Sequence, residues 1–181
     1  FLGSSEVSVK EMVGAFSIYA NKGVYNAPMM VTKIEDKYGN VLANFYPESR
    51  EVITENTAFL MANLLQGVVD EGTGRRLRFR YGFKNQIGGK TGTTQNHSDG
   101  WFIGIPPDLA GGVWVGAEDR SIHFQNLANG QGASMALPIW ALFMQKVYAD
   151  KSLAVPQSDF QKPNGVNHVL DCGDADREGM T

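Results

Sequence analysis

The chain has 181 residues, 43% of them hydrophobic and 19% charged, with a formal net charge of −3. Such a length and apolar content support one folded domain, or a large piece of a bigger one, and argue against a disordered chain. The mild acidity gives no case for nucleic acid or an anionic membrane surface, and no apolar run reaches the ~20 residues that span a bilayer.

Ser8-Val9-Lys10-Glu11 forms a capping box, and Val9, Met12, Val13, Phe16, Tyr19 and Ala20 follow at helical spacing before Gly23, which predicts a helix over 8–21. Met30–Ile34 and Val41–Phe45 flank Tyr38-Gly39-Asn40 and predict a hairpin. Thr54 caps a second helix with Met61, Leu64, Leu65 and Val68 on one face and Gly72 at its end. Residues 73–86 lack periodicity and hold a basic cluster, Arg75, Arg76, Arg78, Arg80 and Lys84, read as a solvated face or an anion-facing rim.

From Ile87 the pattern is β: Ile87–Thr94, Trp101–Ile105 and Val113–Gly116 read as three antiparallel strands, with turn clusters at Asn96–Gly100 and Pro106–Asp108. Ala133–Tyr148 is apolar nearly all round. It predicts a helix sandwiched in the core that buries Leu137, Ile139, Trp140, Leu142, Phe143, Met144 and Val147, with Pro138 in a first turn or at a kink. Residues 151–181 form a polar tail with loop character from 155 onward. Phe1, in mid-pattern and without Met, reads as a cut end, which leaves any anchor of a longer parent open.

The stretch with most chemical content is Gly88-Gly89-Lys90-Thr91-Gly92-Thr93-Thr94. On a strand, Lys90 and Gly92 fall on one face and Thr91 and Thr93 on the other. Gly92 would let a second backbone approach, so an extended peptide could add as a strand. The hydroxyls of Thr91 and Thr93 can donate to a carboxylate, Lys90 supplies a positive charge, and a backbone N–H beyond the glycine can face a developing oxyanion. The parts bind and stabilise; none of them attacks. A phosphate loop ending Gly-Lys-Thr would need glycine where the chain has Lys84, and a helix after Thr91. That reading is rejected.

Lys-Thr-Gly is also one of the three signatures of serine penicillin-binding proteins and class A β-lactamases, and its context here matches too. Leu2-Gly3-Ser4-Ser5-Glu6-Val7-Ser8, Gly72-Thr73-Gly74-Arg75, Gly89–Thr94, Asp99-Gly100-Trp101-Phe102-Ile103-Gly104, Pro107-Asp108-Leu109, Gly112–Gly116 and Pro138-Ile139-Trp140 resemble, in order, the C-terminal part of the transpeptidase domain of class A (bifunctional) penicillin-binding proteins. The resemblance covers residues 1–150. It implies an α+β fold, an antiparallel sheet flanked by helices, that is part of the serine β-lactamase/penicillin-binding-protein transpeptidase fold. The chain would hold the last three strands and closing helix of that domain.

The resemblance further implies a D,D-transpeptidase acting outside the cytoplasmic membrane, anchored only through its parent, on peptidoglycan stem peptides ending in D-Ala-D-Ala and open to β-lactams. No cofactor or metal is implied. Lys90, Thr91, Gly92, Thr93 and Thr94 would form the substrate-binding strand, with Lys90 in the polar network and the Thr93 N–H as half of an oxyanion hole. The departure is severe: no serine has Lys three residues on or Asn two residues on, so Ser-x-x-Lys and Ser-x-Asn are both missing. The nucleophile is absent from the chain, and the fragment alone is expected to be inactive and to need the N-terminal part of its own domain.

Other residues carry less. Ser98 has no identifiable base, and His97, His123 and His168 have no metal-ligand spacing with Cys172, the single cysteine, which can form no internal disulfide. Trp101, Trp114 and Trp140 read as core, and Glu118-Asp119, adjacent on a strand, would point apart. The competing functions are a non-catalytic module that binds a peptide carboxylate or only builds a sheet, and a related β-lactamase or carboxypeptidase.

Overall fold

The computed structural model describes residues 5–166. Ser8 caps α1 (Val9–Ala20): its hydroxyl accepts the Glu11 N–H at 3.2 Å, and Glu11 Oε2 accepts the Ser8 N–H at 2.8 Å, which satisfies two of the helix's otherwise unpaired donors. β1 (Val24–Asn26) pairs antiparallel with β4 (Ser49–Glu51), a pairing that three-residue strands are too short to announce by alternation. Between them lies the expected hairpin, β2 (Lys33–Glu35) and β3 (Val41–Asn44), shorter at both outer ends than the sequence suggests. Asp36 closes its turn by accepting the N–H groups of Tyr38 and Asn40 at 2.8 and 2.9 Å, so the turn starts before Tyr38.

Thr54 caps α2 (Glu55–Asp70) through the Thr57 N–H at 3.3 Å. Of the stripe expected from the larger side chains, Leu65 is buried and Met61 and Val68 are half-buried. Ala58, Ala62, Leu65 and Val69 face inward, while Leu64 is 42% exposed. The alanines allow close approach: a Cβ on Gly88 would sit 3.1 Å from Leu65 and 3.3 Å from the Ala62 carbonyl. A short α3 (Arg76–Phe79) follows, in a stretch too brief to show helical period.

β5 (Gly88–Thr93), β6 (Asp99–Ile105) and β7 (Gly111–Gly116) form a three-stranded antiparallel sheet in the order β5-β6-β7. α1 and α2 cover one face, where Gly112 abuts Val13 and Gly88 abuts Leu65. The other face packs on α5 (Gly132–Ala149), which follows the single-turn α4 (Leu127–Gly130). The arrangement is α+β, with helices on both sides of an antiparallel sheet. Val69, Leu77, Phe83, Ile87, Phe102, Leu137, Trp140, Met144 and Val147 build the core. Phe102 meets Trp140 edge to face with centroids 5.4 Å apart, a geometry that ring quadrupoles favour.

α5 departs from expectation in two ways. Leu137, Trp140, Met144 and Val147 are buried, but Ile139, Leu142 and Phe143 are 50%, 55% and 60% exposed, so the helix is packed on one side rather than sandwiched. Pro138 lies well inside the helix, past its first turn. Proline removes the N–H that would bond the carbonyl four residues back. In that same turn Arg76 Nη1 donates to the Ala133 carbonyl and to Ser134 Oγ, both at 2.8 Å, tying the helix to α3. The described part of the tail is irregular as expected, yet it is held: Ser158 Oγ donates to Asp108 at 2.6 Å and the Phe160 N–H to Gln86 Oε1 at 2.9 Å.

Candidate functional site

Gly88 and Gly89 let β5 lie flush on its neighbours, since a Cβ on Gly89 would sit 2.9 Å from the Phe102 ring. Among the described residues the strand pairs with β6 along one edge only, with Lys90 opposite Ile103, Thr91 opposite Phe102, Gly92 opposite Trp101 and Thr93 opposite Gly100. Lys90 and Gly92 share the face of α1 and α2, and Thr91 and Thr93 the face of α5, as alternation requires. Just past the strand the Thr94 N–H donates to the Asp99 carbonyl at 3.1 Å. Antiparallel ladders alternate inward and outward backbone groups. The N–H and C=O of Thr93 and Thr91 therefore turn to the edge that carries no strand.

Lys90 is exposed, and its Nζ donates to the Thr91 carbonyl at 2.7 Å on that edge. Thr91 Oγ1 lies 2.7 Å from Thr73 Oγ1, in the Gly72-Thr73-Gly74 turn after α2. Thr93 is exposed too, and its hydroxyl oxygen accepts the Gly132 N–H at 3.0 Å from the first residue of α5. That contact occupies a lone pair and leaves the hydroxyl proton available to donate. Gly132 is obligatory there, because a Cβ would collide with the Gly92 and Trp101 carbonyls. The bare Cα of Gly92 also accommodates Trp101, whose Cβ a side chain would approach to 3.1 Å.

Thr94 leads into a polar network that the sequence did not signal. Asp99 Oδ2 accepts from Thr94 Oγ1 at 2.9 Å and Ser98 Oγ at 3.0 Å, and Oδ1 accepts from Trp114 Nε1 at 3.0 Å. Arg120 Nε stands 3.9 Å from the carboxylate. Burial pushes the Asp99 carboxyl up, but the hydrogen bonds from Thr94, Trp114 and Ser98, with the Arg120 charge, outweigh it and hold the group below the ordinary carboxylate range.

The remaining candidates separate clearly. Ser98 is buried, with its hydroxyl committed to Thr94 and Asp99. Trp140 is core, whereas Trp114 is 41% exposed and serves Asp99 through its indole N–H. Glu118 and Asp119 lie beyond the end of β7 rather than on a strand. The basic cluster is not one free face: Arg76 ties α3 to α5, and Arg78 bonds Asp70 and the carbonyls of Phe83 and Asn85. His168 and Cys172 lie outside the described residues. Cavities of about 280 and 340 Å³ lie around Tyr19, Lys22, Asn21, Pro107 and Asp108. Neither is lined by β5. The strand is an open wall, equipped to pair with an extended chain along its edge and to give N–H, hydroxyl and ammonium groups to an anion.

A family profile of the penicillin binding protein transpeptidase domain matches residues 2–132. Penicillin-binding protein 1A of Aquifex aeolicus is 34% identical over 162 residues, spanning 90% of this chain and 21% of that protein. The chain thus spans about a fifth of the length of this relative. Among solved structures, penicillin-binding protein 1A from Haemophilus influenzae superposes with a TM-score of 0.79 at 24% identity, covering 90% of this chain and 29% of that one. Penicillin-binding protein A from Mycobacterium tuberculosis, as its imipenem acyl-enzyme complex, superposes with a TM-score of 0.60 at 18% identity over 77% of this chain and 31% of that one.

Proposed function

The chain belongs to the penicillin binding protein transpeptidase domain family, with class A relatives, and on that premise we propose that it supplies the substrate-binding wall of a D,D-transpeptidase that cross-links peptidoglycan. In this reading residues 1–150 are the C-terminal portion of the domain and 151–181 a polar tail. The parent is a bifunctional glycosyltransferase and transpeptidase held at the outer face of the cytoplasmic membrane by an anchor elsewhere in its sequence. Among the described residues no helix is long and apolar enough to cross a membrane.

The observation that carries the reading is the set of groups on β5: exposed Lys90 and Thr93 on a strand whose far edge is unpaired among the described residues, with the Thr93 N–H turned to that edge. A stem peptide ending in D-Ala-D-Ala lies along this edge. Its terminal carboxylate takes hydrogen bonds from Thr91 and Thr93, and Lys90 supplies the positive field, with Gly92 and Thr94 completing the strand. A serine Oγ from the remainder of the domain attacks the penultimate D-alanine carbonyl. The Thr93 N–H stabilises the oxyanion, the C–N bond breaks and terminal D-alanine leaves with a proton. The amine of a second stem then attacks the ester and releases the serine. A β-lactam takes the same path as far as the acyl-enzyme. The Mycobacterium tuberculosis relative, solved as an imipenem acyl-enzyme, is in keeping with that.

Because neither Ser-x-x-Lys nor Ser-x-Asn occurs in the sequence, labelled penicillin should leave no covalent adduct on this chain. Mixing it with a polypeptide carrying those two motifs of the family should restore labelling, on the added polypeptide's serine. Lys90→Ala should lower the restored acylation rate on the order of 100-fold, the scale seen when one electrostatic contact to the transition state is lost. An adduct on a serine of this chain alone overturns the proposal.

A further inference from the structure

Thr94 is gripped by a single residue at three points: Asp99 Oδ2 accepts its hydroxyl at 2.9 Å, the Asp99 N–H donates to that hydroxyl oxygen at 2.9 Å, and the Asp99 carbonyl accepts the Thr94 N–H at 3.1 Å. Between the two residues the chain makes a turn in which Asn96 and His97 both have φ of 59°. Consecutive non-glycine residues in the left-handed region are costly and persist only where surrounding contacts over-determine them. Here those contacts are the Asp99 carboxylate, the Thr94 carbonyl that takes the His97 N–H at 3.2 Å, and the His97 carbonyl that takes the Phe124 N–H at 3.4 Å. A plain hairpin turn of the same length needs no buried carboxylate, and a short turn with glycine would close the strands without strain.

The clamp also has a direction. Thr94 follows the residue whose backbone N–H faces the open edge, and from the other side the Gly132 N–H holds Thr93 Oγ1 at 3.0 Å. Asp99 and the start of α5 thus pin the two ends of one short segment, Thr93–Thr94. We propose that Asp99 is a positioning residue, which through Thr94 sets the Thr93 N–H and hydroxyl at the place where a substrate carboxylate and oxyanion meet β5. The inference rests on the reading of β5 given under Proposed function. A carboxylate suits the task because three donors, the Thr94 and Ser98 hydroxyls and the Trp114 indole, converge on two oxygens that only accept. An asparagine would turn its NH₂ group against one of them.

The test uses Asp99→Asn and Thr94→Val in this chain, read by amide exchange and by penicillin acylation in the mixture with the serine-bearing polypeptide. The Gly132 N–H bonds Thr93, and among the described residues no hydrogen bond joins it to Asp99, so its amide separates positioning from mere turn closure. In Asp99→Asn the amides of both Thr94 and Gly132 should exchange about tenfold faster, beyond any shift common to the buried amides of α2. The limiting acylation rate should fall about tenfold, while the apparent dissociation constant of penicillin changes less than about threefold. Thr94→Val should reproduce both effects, which decides the matter even if Asp99→Asn fails to fold. Acceleration confined to Thr94, with Gly132 unmoved, overturns the inference, as does an unchanged acylation rate in Thr94→Val. A mixture in which the wild-type chain is never acylated is instead a failure of the transpeptidase reading, and the Gly132 amide still reports on Asp99.

Discussion

At the scale of single residues, Asp99 is where electrostatics and stability meet. Its carboxyl is held below the ordinary range in the folded chain by Thr94, Trp114, Ser98 and Arg120 against the opposing effect of burial. The folded state therefore binds fewer protons than the unfolded state between the two titration points. The stabilisation is complete above the unfolded value of about 4 and is lost as pH falls through the lower folded value. Hydrogen bonds to a charged group contribute about 1.5–3 kcal/mol each, so Asp99→Asn should cost on the order of 3 kcal/mol at pH 7. Urea unfolding should show that gap closing below about pH 4; a gap equal at pH 3 and pH 7 would remove the charge from the explanation. The residues with chemistry were unevenly legible. Lys90-Thr91-Gly92-Thr93 declares itself by type and spacing, and its faces follow from alternation alone. Asp99 sits in an Asn/His/Ser/Asp/Gly cluster that reads as turn, and nothing local shows that Trp114, on the far strand, brings it an indole donor.

At the scale of elements, α5 and β6 show what pattern can and cannot decide. The apolar content of Ala133–Tyr148 predicts the helix correctly, but a helix apolar all round gives no preferred face, so only packing selects Trp140 as inward and Phe143 as outward. That selection is made by glycine on the opposing strand. Gly104 faces α5, and a Cβ there would overlap the six-membered ring of Trp140, whose indole N–H is already anchored to the Gly111 carbonyl at 3.1 Å. The ring is tied at one side and packs against Phe102, with centroids 5.4 Å apart. Gly104→Ala should therefore cost about 1–3 kcal/mol, the range for overpacking a dense core, read as a lower urea midpoint with unchanged slope. A variant as stable as wild type would mean that α5 can slide on the sheet. The stripe on α2 follows the same logic. Ala58 and Ala62 face in because β5 lies close, a preference that ranking residues by hydrophobicity alone would miss.

At the scale of the whole molecule, the described residues leave large apolar side chains open to solvent. Among the described residues the sheet ends in unpaired strands on both sides, β5 and β7. α5 turns Ile139, Leu142 and Phe143 outward, each at least half exposed. Those three positions recur at spacings of three and four, so they form one stripe on the side of α5 away from the sheet. Contiguous apolar stripes of that kind drive association in water. They contribute little to the fold, because side chains that remain half in solvent gain little from burial. Two consequences can be separated by experiment. Leu142→Lys with Phe143→Lys should leave the unfolding midpoint within about 0.5 kcal/mol of wild type, as surface changes do. The same variant should sediment as a monomer at concentrations where wild type forms larger species. If the doubly substituted chain loses several kcal/mol, the stripe is a hidden part of the core. If wild type and variant sediment alike at every concentration, the stripe is too dispersed to act as a surface, and the open edges of β5 and β7 become the place to look for association.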